Sequence, residues 1–218
     1  MSTTTTNIKD INANAHAQEH VHVHRDDEGS KFGMWLFLFT EVLLFGGLFF
    51  VYFAYRVWYS QGFHDGAQEL NVVLGATNTV ILLTSSLTMA LSILALRKKN
   101  TTLSLIHLGI TIACAFGFLI NKYFEWGYKI HHGIYPGSEK LLERPEGEIL
   151  FFGLYYLMTG LHTFHVIVGI IILTTMGVSI IRGTINHDKY IKLENGGLYW
   201  HLVDLIWIFL FPLFYLLH

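Results

Sequence analysis

The sequence predicts an all-α protein, a polytopic membrane helix bundle with five transmembrane helices and its N-terminus inside. Three observations predict it. Of the 218 residues, 52% are hydrophobic and only 14% are charged, where an ordinary soluble domain carries about 25% charge. The apolar residues gather into five runs, each longer than the ~20 residues a helix needs to cross ~30 Å of hydrocarbon. Those runs do not alternate, as the ~10-residue strands of a membrane β-barrel would. The mean hydropathy of +0.44 agrees.

Residues 1–30 read as a disordered polar tail. It opens TTTT and closes HAQEHVHVHRDDEGS, and little in it could bury a core. His20, His22 and His24 alternate there, a loose metal-binding pattern without a fourth ligand or fixed geometry. The tail has no apolar stretch of the signal-peptide kind, so the first span is expected to be its own insertion signal.

Residues 31–218 read as the membrane domain, with spans at about 32–55, 70–96, 103–126, 149–181 and 193–217. The first run, KFGMWLFLFTEVLLFGGLFFVYFAYR, carries Glu41 near its middle. A charge at the bilayer centre costs roughly 2.5–3.5 kcal/mol on insertion scales, so it asks for a reason. The fourth run is the longest and must tilt or project. The loop 127–148 carries HHG and YPG and reads as a turn-rich surface loop. Orientation follows the Lys and Arg residues. The short loop Arg97-Lys98-Lys99 sets the inner side, joined by Lys9, Arg25, Lys31, Arg182, Lys189 and Lys192. Lys129, Lys140 and Arg144 fall among the acidic residues of an outer loop. Tyr52, Tyr55, Trp58 and Tyr59 sit where the first helix leaves the membrane, as an aromatic belt would.

The composition excludes several function classes. A net charge of −2 with no basic stripe argues against nucleic acid as a partner. A single cysteine, Cys114, rules out an intrachain disulfide framework and reads as a small core residue. No catalytic residue and no metal site is expected. His162 and His165 could ligate a metal only with more histidines on facing helices, and the others near the spans are His107, close to the inner end of its helix, His201, expected to partner Asp204, and the terminal His218.

Depth counting at ~1.5 Å per residue places Glu41, Asp204, His162, His165 and the Thr84-Ser85-Ser86 stretch in one layer. His162 and His165 are three residues apart, as are His201 and Asp204, and Lys122 and Glu125, so each pair shares a helix face. Asp204 is expected to partner His201, and Lys122 to neutralise Glu125. Intramembrane polar groups survive by facing the bundle interior. Glu41 reads either as a structural carboxyl or as a proton-linked one. Gly46, Gly47, Gly109, Gly117, Gly153, Gly160 and Gly169 would allow close helix approach or room for a lipid chain. Pro212 removes one helix hydrogen bond and favours a kink.

KFGMWLFLFTEVLLFGGLF, NTVILLTSSLTMA, FLINKYFEW, GLYYLMTGLHTFHVIVG and LYWHLVDLIWIFLF resemble, in order, the successive signatures of subunit III of the haem–copper oxidases. The resemblance covers Lys31 to His218. It carries the family's first-motif glutamate onto Glu41, its third-motif glutamate onto Glu125, its paired histidines onto His162 and His165, and its Trp-His and Asp onto Trp200, His201 and Asp204. It implies a non-catalytic subunit of a cytochrome c oxidase that reduces O2 to water and pumps protons. It implies no cofactor on this chain, with haems and copper in subunits I and II, packing on subunit I, a structural phospholipid, and support of proton uptake and of active-site durability. The setting implied is the bacterial inner membrane, within the aerobic respiratory chain and its larger assemblies. The longer family form has seven spans, two of them ahead of the first motif, where this sequence has its polar tail. Another subunit would then have to complete the lipid cleft. Subunit III of a quinol oxidase is the alternative within the family. A small proton-linked transporter is the alternative outside it, without the inverted repeat or paired broken helices such folds show.

Overall fold

The computed structural model describes residues 28–187 and 190–217, and the backbone alone for residues 4–27. Its elements are α1 (Thr4–Trp58), α2 (Ser60–Gln68), α3 (Val72–Arg97), α4 (Thr101–His131), α5 (Glu139–Leu142), α6 (Glu146–Ile181) and α7 (Ile191–Tyr215). Five of these are long and apolar enough to cross a membrane: the Glu28–Trp58 part of α1, then α3, α4, α6 and α7. No strand occurs among the described residues. The expected polar tail, with His20, His22 and His24, lies outside the fully described residues, as do Lys189 and His218.

The chain divides into two units, Met1–Thr40 and Glu41–His218. Within the first, Thr40 donates to the Phe37 carbonyl one turn back at 2.7 Å. Phe32, Trp35, Leu36 and Phe39 are exposed apolar residues there.

The second unit is a bundle built on the antiparallel hairpin of α3 and α4. Its turn is short because both helix ends are satisfied locally. Asn100 caps α4 by accepting from the Leu103 amide at 3.0 Å, and the Asn100 amide closes back on the Ala95 carbonyl. Lys99 takes φ 63° there, a left-handed conformation that costs a non-glycine residue roughly 1–2 kcal/mol. The basic turn is therefore kept against local backbone preference. Along the hairpin run small polar pairs: Asn121 donates to Asn78 at 3.0 Å, the Thr88 and Thr111 hydroxyls lie 2.7 Å apart, and those of Ser92 and Ser104 lie 3.1 Å apart. Interhelical hydrogen bonds in membranes average only ~0.6 kcal/mol each. They set register, while packing supplies most of the cohesion.

That packing is aromatic. Tyr52, Phe63, Phe151, Tyr155 and Phe214 are all fully buried and meet edge to face, with ring centroids 5.1–5.6 Å apart. Tyr52 donates its hydroxyl to the Leu213 carbonyl. α7 continues through Pro212 to Tyr215.

The short helix α2 was not expected from the sequence. It is amphipathic and buries Phe63, Gly66 and Ala67. It crosses α6 at a glycine pair, where a Cβ on Gly62 would stand 2.7 Å from Gly147 Cα. Gly169 serves similarly, since a Cβ there would stand 2.7 Å from the Trp200 ring. Gly46, Gly47, Gly109 and Gly153 differ: nothing lies within 4 Å of a Cβ built on any of them. Their expected role in close approach is not met within this chain.

The spans also run longer than expected. α4 continues to His131 and α6 starts at Glu146, which shortens the turn-rich loop. Inside it, Ser138 caps α5, and Gly133 and Gly137 take φ of 75° and 88°. Cys114 is half-buried rather than in the core.

Candidate functional site

Of the residues predicted to share one layer, Glu41 with His165 and Asp204 with Ser85 fall into two separate clusters, and a third cluster forms around the Lys122–Glu125 pair. The first joins α1, α6 and α7. Glu41 Oε2 lies 2.9 Å from His165 Nε2, an ion-pair distance without hydrogen-bond alignment. His165 Nδ1 lies 2.8 Å from the Leu161 carbonyl one turn back. A carbonyl only accepts, so Nδ1 must carry the hydrogen. Nε2 is left facing the Glu41 carboxyl. Tyr199 donates to the His165 carbonyl at 3.0 Å, and Phe45 meets the ring edge-on at 5.5 Å.

The second cluster joins α3 and α7. Trp200 Nε1 donates to Ser85 Oγ at 3.1 Å. Ser85 Oγ lies 2.7 Å from the Leu82 carbonyl and 3.4 Å from Asp204 Oδ2. One hydroxyl proton can serve one acceptor, and the carbonyl is nearer. Asp204 is only 3% exposed, and its Oδ1 has no hydrogen-bond partner among the described residues. His201 does not pair with Asp204 as the spacing suggested. Its Nδ1 meets the Ser86 hydroxyl at 2.7 Å. Residues three apart on a helix diverge by some 60° of arc, given 3.6 residues per turn. Here that divergence sends the two side chains to neighbouring serines. Thr84 turns away and donates to the Val80 carbonyl of its own helix.

The third cluster is the largest. Lys122 and Glu125 on α4 form a buried pair, Nζ to Oε2 at 2.9 Å. Tyr155 of α6 and Tyr215 of α7 donate to Glu125 Oε1 at 2.8 and 2.6 Å. Lys122 Nζ also donates to the two tyrosine oxygens, at 3.3 and 2.8 Å, and stands 4.9 Å from the Trp207 ring centroid. Both charges therefore have partners on three helices, which a buried pair needs if it is not to cost more than it returns.

Polar groups continue from there to the α2–α3 connection. Lys129, 4% exposed, donates to the Glu69 carbonyl at 3.2 Å. Arg144 bridges the Glu69 and Glu148 carboxylates. Partial burial opposes the Arg144 charge, but its hydrogen bonds to both carboxylates outweigh that and hold its pKa above the ordinary value. Nearby, the exposed Tyr59 hydroxyl donates to Glu146 at 3.1 Å, and that bond raises the tyrosine pKa. A pocket of about 490 Å³ opens here, lined by Glu69, Asn71, Phe124, Glu125, Tyr128 and Lys129 among others.

His162 belongs to none of the three clusters. It is fully buried against Trp207 and Phe118, with ring centroids 5.3 and 5.5 Å away. His162 and His165 share a face of α6 but have different neighbours. Among the described residues, no three His, Cys, Asp or Glu side chains gather as a metal-ligand set.

The sequence reading brought out Glu41, Glu125, His162, His165, His201 and Asp204. It missed Tyr155, Tyr215, Lys129, Arg144 and Glu69. The tyrosines lie inside apolar runs and look like core residues. The signal for them was the unmatched demand of a buried Lys–Glu pair for further donors and acceptors.

Comparison with known proteins adds the following. The family model described as cytochrome c oxidase subunit III matches residues 1–218. A cytochrome c oxidase subunit 3 of Synechocystis sp. is 33% identical over 187 residues, covering 85% of this chain and 75% of that protein. A haem–copper oxidase subunit I+III of Aeropyrum pernix is 30% identical over 189 residues, covering 84% of this chain and 22% of that fused protein. A protein of Staphylococcus saprophyticus named "Probable quinol oxidase subunit 3" is 30% identical over 202 residues, covering 88% of this chain and 92% of its own length.

Proposed function

The chain belongs to the cytochrome c oxidase subunit III family, and from that premise we propose that it is the multi-pass, non-catalytic subunit III of a cytochrome c oxidase in a bacterial plasma membrane. In this reading it packs on subunit I, with subunit II as a further neighbour in the complex. The observation that carries it is the family match over the whole chain. The I+III fusion of Aeropyrum pernix supports subunit I as the partner, since a fused chain holds the two parts together. Haems and copper then belong to the partner subunits. The polar clusters give this chain proton-holding groups, Glu41 with His165 foremost, in support of the pumping complex. The exposed apolar residues of α1, α4 and α6 would face lipid or subunit I, and a structural phospholipid would fit that surface chemistry. The N-terminus lies inside, set by the Arg97-Lys98-Lys99 turn.

The test is to remove this chain from the purified oxidase. The reading expects the haem spectrum and initial O2 reduction to survive, with activity failing earlier during sustained turnover. Immediate loss of O2 reduction with haems intact would overturn it. The quinol oxidase relative supports a second reading in which the electron donor is a quinol. Oxidation of reduced cytochrome c, against a quinol, by the intact complex separates the two.

A further inference from the structure

Among the described residues, His162 is a buried side chain with both of its polar atoms unmatched. It is 0% exposed, and neither Nδ1 nor Nε2 has a hydrogen-bond partner among the described residues. Trp207 covers its face, 34° from parallel, and Phe118 meets it edge-on. Those contacts satisfy the ring's π surface and leave its in-plane nitrogens unmet. A neutral imidazole always presents one N–H donor and one acceptor lone pair. Buried without partners, both forfeit their hydration, so a polar ligand at those atoms is strongly favoured.

The position of those nitrogens gives the site a role. One turn along α6, His165 contacts Glu41. Trp207, which covers the His162 ring, also carries Lys122 over its own ring, and the Lys122 partner Glu125 lines the pocket at the α2–α3 connection together with Lys129. His162 thus stands between a polar pair that includes Glu41 and a polar cluster that opens to a pocket.

We propose that His162 is an internal water-binding site, and that its water joins the Glu41–His165 pair to the Lys122–Glu125–Tyr155–Tyr215 cluster in one hydrated file ending at the Glu69–Lys129 pocket. Water is the ligand because it both donates and accepts, which matches the two unlike nitrogens, and a buried water typically makes about three such bonds. A cation would meet the Lys122 ammonium nearby. An anion would find that ammonium already matched by Glu125. Along the file a proton leaving one group is replaced from its neighbour: Glu125 takes one from Lys122 as Lys122 takes one from the water, and Glu125 then releases one toward the pocket, so none is retained. The Glu41–His165 pair can then exchange protons with the pocket without a group crossing the lipid-facing surface. This holds for either electron donor.

The experiment is brief X-ray radiolysis of the intact oxidase complex, with hydroxylation of this chain read by mass spectrometry. Buried rings beside an ordered water are labelled, and dry ones are protected. Trp207 and Phe118 are expected to be labelled several-fold faster than Phe63, an equally buried ring away from the file. His162→Phe, which fills the volume without polar atoms, is expected to bring both down to the Phe63 rate. Equal protection of Trp207, Phe118 and Phe63 in the unsubstituted complex overturns the proposal, and so does unchanged labelling in the assembled His162→Phe complex. A structure of the unsubstituted complex that resolves buried water decides the matter even if the variant fails to assemble. Density within about 3.2 Å of a His162 nitrogen is the expected result, and its absence there, with buried waters seen elsewhere in the complex, overturns it.

Discussion

Glu125→Gln removes one charge from the buried pair while keeping the side chain's size and shape. In the native structure the carboxylate only accepts, with Oε2 taking the Lys122 ammonium and Oε1 taking both tyrosine hydroxyls. Glutamine must turn an NH2 group toward one side or the other. Facing Lys122 it sets donor against donor. Facing the tyrosines it loses two of the shortest bonds in the cluster. Either way Lys122, whose side chain is 2% exposed, keeps a charge without a counter-charge. Breaking one half of a buried pair typically costs ~3–5 kcal/mol. Pulse proteolysis of this chain across a denaturant titration of the detergent-solubilised complex reads that loss. Replacing both charges, as Lys122→Met with Glu125→Gln, leaves no unpaired charge and is expected to recover most of the loss. A single variant with near-native stability would refute the reasoning, because it would mean that the members of the pair are individually dispensable. A double variant as unstable as the single would also refute it.

Other outcomes follow from the same structure. Gly169→Ala drives a Cβ to 2.7 Å from the Trp200 ring and is expected to lower stability by the ~1–3 kcal/mol typical of overpacking, whereas Gly46→Ala, which meets nothing within 4 Å, leaves the chain's own stability unchanged in the same proteolysis assay. Lys99→Gly relieves the left-handed backbone at the α3–α4 turn and is expected to stabilise the hairpin by about 1 kcal/mol, read as a higher denaturant midpoint. Trp200→Phe removes the bond to Ser85 and is expected to cost about 0.5–1.5 kcal/mol, with Asp204 left in place. A membrane-impermeant lysine reagent applied to intact cells is expected to spare Lys98, and labelling of Lys98 from outside would contradict the N-inside orientation.

The long helices were legible because apolar run length is a one-dimensional property, and five runs became five span-length helices. Helix ends were less legible. Lys129 and Glu146 were assigned to a loop on account of their charge, yet both lie in helices, and Lys129 is buried with its ammonium on the Glu69 carbonyl. The short helix α2 has too few apolar residues to register as a span, and it packs on α6 through the Gly62–Gly147 approach. Depth counting put Glu41 in one layer with His165, among other polar groups, without naming the contact between them, and spacing alone identified the Lys122–Glu125 pair. Spacing failed for His201 and Asp204, because it fixes the face of a helix and not the partner across it. Tyr155 and Tyr215 were invisible as polar residues, since a tyrosine in an apolar run declares its hydroxyl only when the facing helices are known.

The central claim is that this chain serves inside an oxidase rather than alone. Its most direct test is to purify the chain by an affinity tag from its own membrane under mild detergent and record the optical spectrum and O2 consumption of what comes with it. The account predicts a stoichiometric complex with a haem-bearing subunit I and O2 reduction driven by cytochrome c. A chain that comes off alone, without haem absorbance and without oxidase activity, would contradict it.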